Sequence, residues 1–329
     1  MKILLKILLF LFSFQLSAQK YSYTDYYKTV NEAELAFVES DFQKAASLFD
    51  TAFRMDLKPF GKDIFNAVIC NLEIDSFSKV SKYCEKLFYY GTPISLFTHS
   101  RFKKLKQSQY WADIKKKYEK YEKNFNIDID NSLKKEFEKR FKKDQLVDDI
   151  KRREYFHDNI KWIKSLIDQR SFPSEKKIGI SINDELGIVS NIKLEMLLFH
   201  WSTVDKKDSL NMIPLLEEQV RNGELHPTSF AMLEYDKMPI FSKLRNFAYL
   251  IIGESILKPQ FTPDELSKVN EARRKIGLHS FEDYLKVTQF AYHDERFIFN
   301  NNRIMQLSEG SLKMFLNNGF IITNDFKNK

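Results

Sequence analysis

The chain has 329 residues, of which 43% are hydrophobic and 29% are charged, and its formal net charge is +7. This apolar content is ample for a packed core, which excludes a globally disordered protein. Only nine glycines occur, less than half of the usual fraction of about 7%, and this scarcity of tight-turn residues favours an all-α fold over a sheet sandwich.

Residues 1–18 predict a secretory signal peptide. Lys2 and Lys6 form a short positive region, Ile7–Phe14 is almost entirely apolar, and cleavage after Ala18 fits the small residues that close the segment. The apolar run is shorter than the ~20 residues that span a membrane, and no later stretch is long enough. We therefore expect an exported protein, periplasmic or extracellular, with no membrane span after cleavage.

Residues 19–125 carry a helical repeat. One helix face is lined at three-four-three spacing by Phe42, Ala45, Phe49 and Ala52, and the same spacing returns in Phe77, Val80, Cys84 and Leu87. Together with Ala33 and Pro59, these positions resemble the tetratricopeptide repeat, whose period is about 34 residues. The resemblance implies stacked helix pairs with an extended groove that binds a protein or peptide partner.

Two copies of the repeat are fewer than the three or more that such a stack usually needs. The segment Ile94–Tyr121 is rich in apolar residues, and we expect it to cap the stack. Cys70 and Cys84 lie in the same region, where an oxidising compartment permits a disulfide. Free buried thiols are favoured, because the repeat register does not turn the two positions towards each other.

A basic segment runs from Arg101 to Lys143, with fifteen Lys and Arg against seven Asp and Glu. Such a run is one mark of nucleic-acid or anionic-surface binding. Here the lysines share helical turns with Glu119, Glu136 and Glu138, and the aromatic residues follow core spacing. The pattern indicates a solvated helix face, and we do not expect nucleic-acid binding.

Residues 126–329 form the second predicted domain, which follows a break in the helical pattern at Asn126–Asp130. A helix is expected from an N-cap at Asn183 to about Trp201, and the stretch "RFIFNNNRIM" near the C-terminus could form a small β-hairpin. Later helix ends are marked by three pairs of residues: Pro214 with Gly223, Thr262 with Glu265, and Gly277 with Ser280. An apolar stripe is also expected along Leu146, Ile150, Ile160, Ile163 and Ile167.

His200 ends an apolar run, "LEMLLFHW". It follows Val189, Ile192 and Met196 at steps of three, four and four residues, which places it on the predicted buried face. A buried imidazole needs a hydrogen-bond partner, because leaving it unpaired costs roughly 1–3 kcal/mol. A lone histidine on an apolar face is usually such a structural residue, so a reactive His200 is the alternative interpretation.

The region from about Asp144 to Tyr284 resembles a bacterial family that is described only as a domain of unknown function. Its pattern of short motifs is matched in order by Asp144-Gln145, Phe172-Pro173, Gly179, His200, Gly223-Glu224 and Ala231-x-Leu233. The chain departs from the pattern at Asp236, which is followed by Lys237 where the family has arginine. Lysine lacks the two-pronged grip of a guanidinium on a planar anion. The family's Gln-Tyr-Gly-Thr-Gln segment has no clear counterpart in this chain.

Two functions are consistent with these patterns. The sequence favours a secreted interaction protein that binds a partner through its repeat groove. The alternative is a ligand-binding or hydrolase-like second domain, in which His200 is a general base or metal ligand and Asp144, Asp205 or Asp236 orients its other nitrogen. His226 and Gln145 are further candidate binding residues in this second hypothesis.

No cofactor or metal is expected. The sequence has no His-Glu-x-x-His, Gly-x-Ser-x-Gly, P-loop or paired-cysteine zinc motif. His293 and Asp294 are adjacent and would point about 100° apart on a helix, so we expect solvated residues there. Without a recognised catalytic motif, the enzyme hypothesis is the weaker of the two.

Overall fold

The computed structural model describes residues 21–123, 129–146, 148–183, 188–190, 192–205, 207–237, 250–252, 255–294, 296–299 and 308–323. Its architecture is helical with two small sheets, which confirms the predicted all-α class. The predicted signal peptide lies outside the described residues and stays a prediction. No helix among these residues has both the length and the apolar character needed to cross a membrane.

The N-terminal half consists of two helix pairs and a capping segment. The pairs are α1 (Tyr23–Val38) with α2 (Phe42–Ala52), and α3 (Gly61–Glu73) with α4 (Phe77–Tyr89). The capping segment contains two 3-10 turns (Ile94–Thr98 and Ser100–Phe102), α5 (Lys103–Lys106) and α6 (Tyr110–Glu122). Ala33, Ala45 and Ala52 are fully buried, so the paired helices approach closely where these small side chains lie.

The C-terminal half is built from longer helices and short strands. The helices are α7 (Asn131–Leu146), α8 (Asp149–Asp168), α9 (Glu175–Ile178), α10 (Ile192–Val204), α11 (Met212–Arg221), α12 (Pro227–Lys237), α13 (Pro263–Lys275), α14 (Phe281–His293) and α15 (Glu309–Asn317). The strands are β1 (Ser181–Asn183), β2 (Ile188–Ser190), β3 (Leu250–Ile252), β4 (Ser255–Pro259) and β5 (Phe320–Thr323).

The prediction of one helix from Asn183 to Trp201 was wrong in its first half. Residues 181–183 pair antiparallel with residues 188–190, so that Ser181 lies opposite Ser190. Helix α10 begins only at Ile192. The strands contain Ile182, Ile188 and Val189, and β-branched residues of this kind favour extended backbone.

The small sheet near the C-terminus comes from other segments than the one expected. Strand β4 lies between β3 and β5, antiparallel to both. Of the stretch "RFIFNNNRIM", residues 296–299 form no strand, and its remaining residues lie outside the described part of the chain.

The apolar stripe expected along Leu146, Ile160, Ile163 and Ile167 is interrupted. Helix α7 ends at Leu146 and α8 begins at Asp149, so the stripe crosses a helix boundary and loses its register there. Leu146 is 74% exposed, whereas Ile160 and Ile163 are buried. The helix-end signals were more reliable: the capping box of Thr262 and Glu265 is present, and Ser280 caps α14. Both cysteines are free and buried, which confirms the preference for thiols.

The main hydrophobic core is continuous and includes residues of both halves, and a small second cluster contains Leu257, Phe315 and Phe320. Helix α1 packs against α14 and α11, and α3 packs against β2. The Tyr27 hydroxyl donates to the carbonyl of Val220 (3.0 Å), and the Asn31 amide donates to the carbonyl of Gly277 (3.0 Å). The boundary expected at residue 126 stays a prediction, but the two halves do not have separate cores.

Glycine is required at two points of this junction. Gly223 and Gly277 have positive φ angles of 67° and 83°. A Cβ atom at Gly223 would lie 2.1 Å from the ring of Tyr23, and one at Gly277 would lie 2.4 Å from the ring of Tyr27. The turns that end α11 and α13 therefore lie directly against α1, the first helix of the N-terminal half.

Asn66 on α3 holds the segment that follows α14. Its amide nitrogen donates to the carbonyl of Ile298 (2.9 Å), and its amide oxygen accepts from the Ile298 N–H (2.9 Å). We predict that Asn66→Ala lowers the free energy of unfolding by about 2–4 kcal/mol, because buried backbone groups lose their partners. Urea unfolding measures this change, and Asn222→Ala, at an exposed position, is the control. If Asn66→Ala loses no more unfolding free energy than Asn222→Ala does, the structural role assigned to Asn66 is contradicted.

Candidate functional site

His200 and Asp144 meet between two helices of the C-terminal half. Asp144 lies in the last turn of α7 and His200 in the last two turns of α10. The Nδ1 atom of His200 is 2.5 Å from Oδ2 of Asp144. About two turns of helix earlier in both elements, Lys193 of α10 pairs with Glu138 of α7. Because both pairs advance in the same direction, the two helices run parallel.

Asp144 is a buried carboxylate with three side-chain partners. None of its side chain is exposed. Oδ1 accepts from the Asn159 amide (3.0 Å), and Oδ2 accepts from the Gln145 amide (2.9 Å) in addition to its bond with His200. Burial raises the pKa of Asp144 above its ordinary value, and the hydrogen bonds with His200, Asn159 and Gln145 oppose that shift. The carboxylate is thus fixed in place by neighbours on three sides.

Arg140 braces the same network one turn before Asp144. Its guanidinium donates to the carboxylates of Glu136 (3.0 Å) and Asp158 (2.9 Å), and to the amide oxygen of Asn159 (3.2 Å). It also lies 4.8 Å from the centre of the Trp162 ring. Because the oxygen of Asn159 accepts from Arg140, its amide nitrogen is directed to Asp144.

The imidazole of His200 packs against an aromatic ring on one face, and one of its nitrogens is not engaged by a described residue. Its ring stacks on Phe156, with centroids 4.5 Å apart and an interplanar angle of 17°. The side chain is 21% exposed, and its Nε2 has no hydrogen-bond partner in the part of the chain that the structure describes. Stacking and the Nδ1 bond orient the ring, and Nε2 remains available to a ligand.

The prediction of which face of α10 is buried was wrong. The buried apolar side chains of α10 are those of Leu194, Leu197, Leu198 and Trp201. His200 lies at the edge of that face, because the larger apolar residues set the rotation of the helix. It is therefore half-buried and not a core residue.

The other carboxylate candidates lie elsewhere. Asp205 accepts from the indole of Trp201 (3.1 Å) and from the backbone and hydroxyl of Ser209 (3.0 and 2.9 Å), so it holds the turn after α10. Asp236 belongs to α12, but its side chain lies outside the described residues. Of the three predicted carboxylate partners, the structure brings Asp144 to His200.

His226 lies in a different environment, at the junction of the two halves. Its ring packs against those of Tyr27 (6.1 Å between centroids) and Phe60 (5.1 Å), and Nδ1 is 2.7 Å from the Thr228 hydroxyl. It lines a cavity of about 20 Å³, also bordered by Glu34, Lys62, Arg273 and His279. This volume suits one water molecule, so the cavity is too small for an organic ligand.

Sequence reasoning missed Asn159, Phe156 and Arg140. Asn159 precedes Ile160 on the stripe of α8 that also carries Ile163, and all three are buried. A polar side chain on a buried face needs a hydrogen-bond partner, which was the available signal. No pattern in the sequence indicates that this partner is Asp144.

A histidine that is hydrogen-bonded to a buried carboxylate, as His200 is to Asp144, can support acid–base chemistry. The structure describes no cluster of three or more residues that could hold a metal ion. Comparison of the chain with protein-family models, with curated proteins and with solved structures found no match. The function of this site is therefore inferred from its geometry.

The junction makes stability depend on pH. Burial and the nearby Lys62 lower the pKa of His226 well below 6.5. Burial alone would raise the pKa of Glu34, but Lys62 and His279 outweigh it and lower this pKa to about 2. Below pH 6.5 the unfolded chain binds a proton at residue 226 that the folded chain does not, so stability falls as the solution is acidified; Glu34 adds to the loss below pH 4.5.

We predict that His226→Phe reduces the pH slope of the free energy of unfolding between pH 7 and 5. One proton corresponds to about 1.4 kcal/mol per pH unit, and the variant should lose up to that slope. Urea unfolding at several pH values measures it, with His293→Gln at an exposed position as the control. An unchanged slope in His226→Phe would contradict the assignment.

Proposed function

We propose that the pair of His200 and Asp144 is a general base in a hydrolase-like second domain, and that it acts on a small ligand at the open Nε2. The observation that carries this proposal is the single orientation of the imidazole, with a buried carboxylate on Nδ1 and no partner on Nε2 within the described residues. A carboxylate on one nitrogen of a histidine keeps a proton there and leaves the other nitrogen as the base.

The proposed step is activation of water. Nε2 accepts a proton from a bound water as the water oxygen attacks an ester carbon or phosphorus. Asp144 accepts the Nδ1–H bond and stabilises the imidazolium that forms. The proton on Nε2 then passes to the leaving oxygen, which restores neutral His200. No covalent intermediate with the protein is needed, because the nucleophile is water.

The burial of Asp144 supports this function. Any buried carboxylate needs hydrogen-bond partners, and those of Asp144 also fix its position relative to the imidazole of His200. Both carboxylate oxygens of Asp144 have hydrogen-bond partners, and the side chain of Asn159 is itself held by a hydrogen bond from Arg140. This restricts the ring to one position, which is what proton transfer to a bound substrate requires.

Partner binding through the repeat groove has weaker support. The first helices of the two pairs, α1 and α3, pack against α11, α14 and β2 of the same chain. A peptide would have to compete with these contacts, some of which are hydrogen bonds to buried groups. The interaction function therefore stays a prediction, as does export, and we place the activity in the second domain.

We predict that His200→Gln lowers the rate of hydrolysis by a factor on the order of 10²–10⁴, which is the usual contribution of a general base. Asp144→Asn should also lower the rate, because a neutral amide does not stabilise the imidazolium as a carboxylate does. The measurement is release of p-nitrophenol from p-nitrophenyl acetate and from bis(p-nitrophenyl) phosphate by the full chain.

His157→Gln is the matched control, because His157 lies on α8 and has no acidic partner among the described residues. It should retain the wild-type rate, and all variants should melt within a few degrees of the wild type. If His200→Gln hydrolyses both probes as fast as the wild type, the proposed function is wrong.

A further inference from the structure

A cleft of about 220 Å³ lies between the same two helices, next to the Lys193–Glu138 pair. Its lining consists of Lys134, Phe137, Glu138, Pro173, Ile178, Gly179, Ile180, Ser181, Lys193 and Leu194. The volume is far larger than the ~15 Å³ needed for one water by the same measure. The cleft therefore has room for a small molecule.

The cleft is built on a fixed wall of main chain. The N–H of Ile180 donates to the carbonyl of Tyr90 (3.0 Å), and the N–H of Gly179 donates to the backbone carbonyl of Glu175 (2.9 Å). Gly179 has a φ angle of 81°, and a Cβ atom there would lie 3.1 Å from the Tyr90 carbonyl oxygen and 3.8 Å from Nζ of Lys134. A side chain at Gly179 would be strained by the positive φ angle and would crowd the Tyr90 carbonyl, whereas its contact with Lys134 would be an ordinary one.

The charges of the lining identify the kind of ligand. Among the described lining residues, two lysines and one glutamate give a net positive charge, and Ser181 adds a hydroxyl. Both carboxylate oxygens of Glu138 lie 2.7 Å from Nζ of Lys193, so the acid is already neutralised. A cation would meet no uncommitted carboxylate from the described lining, and a wholly apolar ligand would bury charged groups at a cost.

Lys193 can exchange its partner. Its side chain is 32% exposed and that of Glu138 is 42% exposed. Pairs this open to water contribute about 0–1 kcal/mol. An anion that enters the cleft therefore displaces Glu138 from Lys193 with little loss of stability.

We propose that this cleft binds a small molecule through an oxyanion, either a carboxylate or a phosphate group, which pairs with Lys193 beside Lys134 and Ser181. The cleft and the pair of His200 and Asp144 lie at two positions along the same two helices. Glu138 is six residues before Asp144 on α7, which separates the two positions by about 9 Å at 1.5 Å per residue. The ligand is thus the anionic part of the molecule on which His200 acts. This last step rests on the proposed function; the binding of the anion does not.

The test is a titration of the isotope-labelled full chain with inorganic phosphate and, separately, with succinate, followed by the amide signals of Gly179 and Lys193. Saturable shifts with a Kd on the order of 1 mM, which corresponds to about −4 kcal/mol, are expected for at least one probe. Saturation by phosphate alone assigns a phosphate group, and saturation by succinate alone assigns a carboxylate.

Two variants of the cleft should change the Kd in opposite directions. Lys193→Met should weaken binding about tenfold or more, because the charge-assisted bond is lost. Glu138→Gln should tighten it severalfold, because Lys193 is no longer shared. Lys116→Met and Glu119→Gln change the same charges at exposed positions of α6 and should leave the Kd unchanged.

His200→Gln separates this inference from the proposed function. It should lower the rate of hydrolysis as stated above without changing the Kd for the anion, because His200 does not line the cleft. If neither probe saturates the signals, or if Lys193→Met binds as the wild type does, the oxyanion assignment is overturned whatever the hydrolysis assay shows.

Discussion

The packing of α1 and α3 against the C-terminal half is the constraint on which the rest of the structure depends. It produces one core from two segments that each have an apolar face, and it positions the segment between α8 and β1. There Glu175 accepts a hydrogen bond from the N–H of Gly61 (2.6 Å), and the carbonyl of Lys177 accepts from the N–H of Asp130 (2.9 Å), directly before α7. The repeat half thereby sets the start of the helix that carries Asp144.

The junction is closed by buried charges as well as by apolar side chains. Glu34 contacts Nζ of Lys62 (2.5 Å) and Nε2 of His279 (2.8 Å), and Lys62 also lies 3.2 Å from the buried Asp63. The Tyr26 hydroxyl donates to the same aspartate (2.7 Å). Burying such groups costs desolvation energy that their attraction roughly offsets. Their contribution is to geometry: an arrangement with any partner missing leaves an unpaired buried charge, which favours one docking of the halves.

The parts of the fold that could be predicted from sequence are those set by local residues. The alanines of the helix pairs, the capping box at Thr262 and the cap at Ser280 each act within a few positions of the chain, and the structure contains all of them. The hairpin β1–β2 was missed, because the apolar spacing of residues 189–200 fits a helix and the strand preference of Ile188 and Val189 competes with it.

Only part of the candidate site could be predicted. His200 stood out as a histidine beside an apolar run, and Asp144 was one of three carboxylates offered as its partner. The choice among them depends on the parallel docking of α7 and α10, which is a contact between residues 56 apart in the chain. Asn159 and Arg140 were not predicted at all, because a brace of this kind is defined by the position of three helices and by no local pattern.

In the proposed mechanism, Asp144 fixes the proton of His200 on Nδ1 and leaves Nε2 as the base. Long-range ¹⁵N–¹H correlation spectra of the histidine rings test it directly, because they distinguish the two neutral tautomers of an imidazole. We predict the Nδ1–H tautomer for His200 in the wild-type chain when the ring is neutral, and a shift towards the Nε2–H tautomer in Asp144→Asn. A wild-type His200 with its proton on Nε2 would contradict the proposed mechanism.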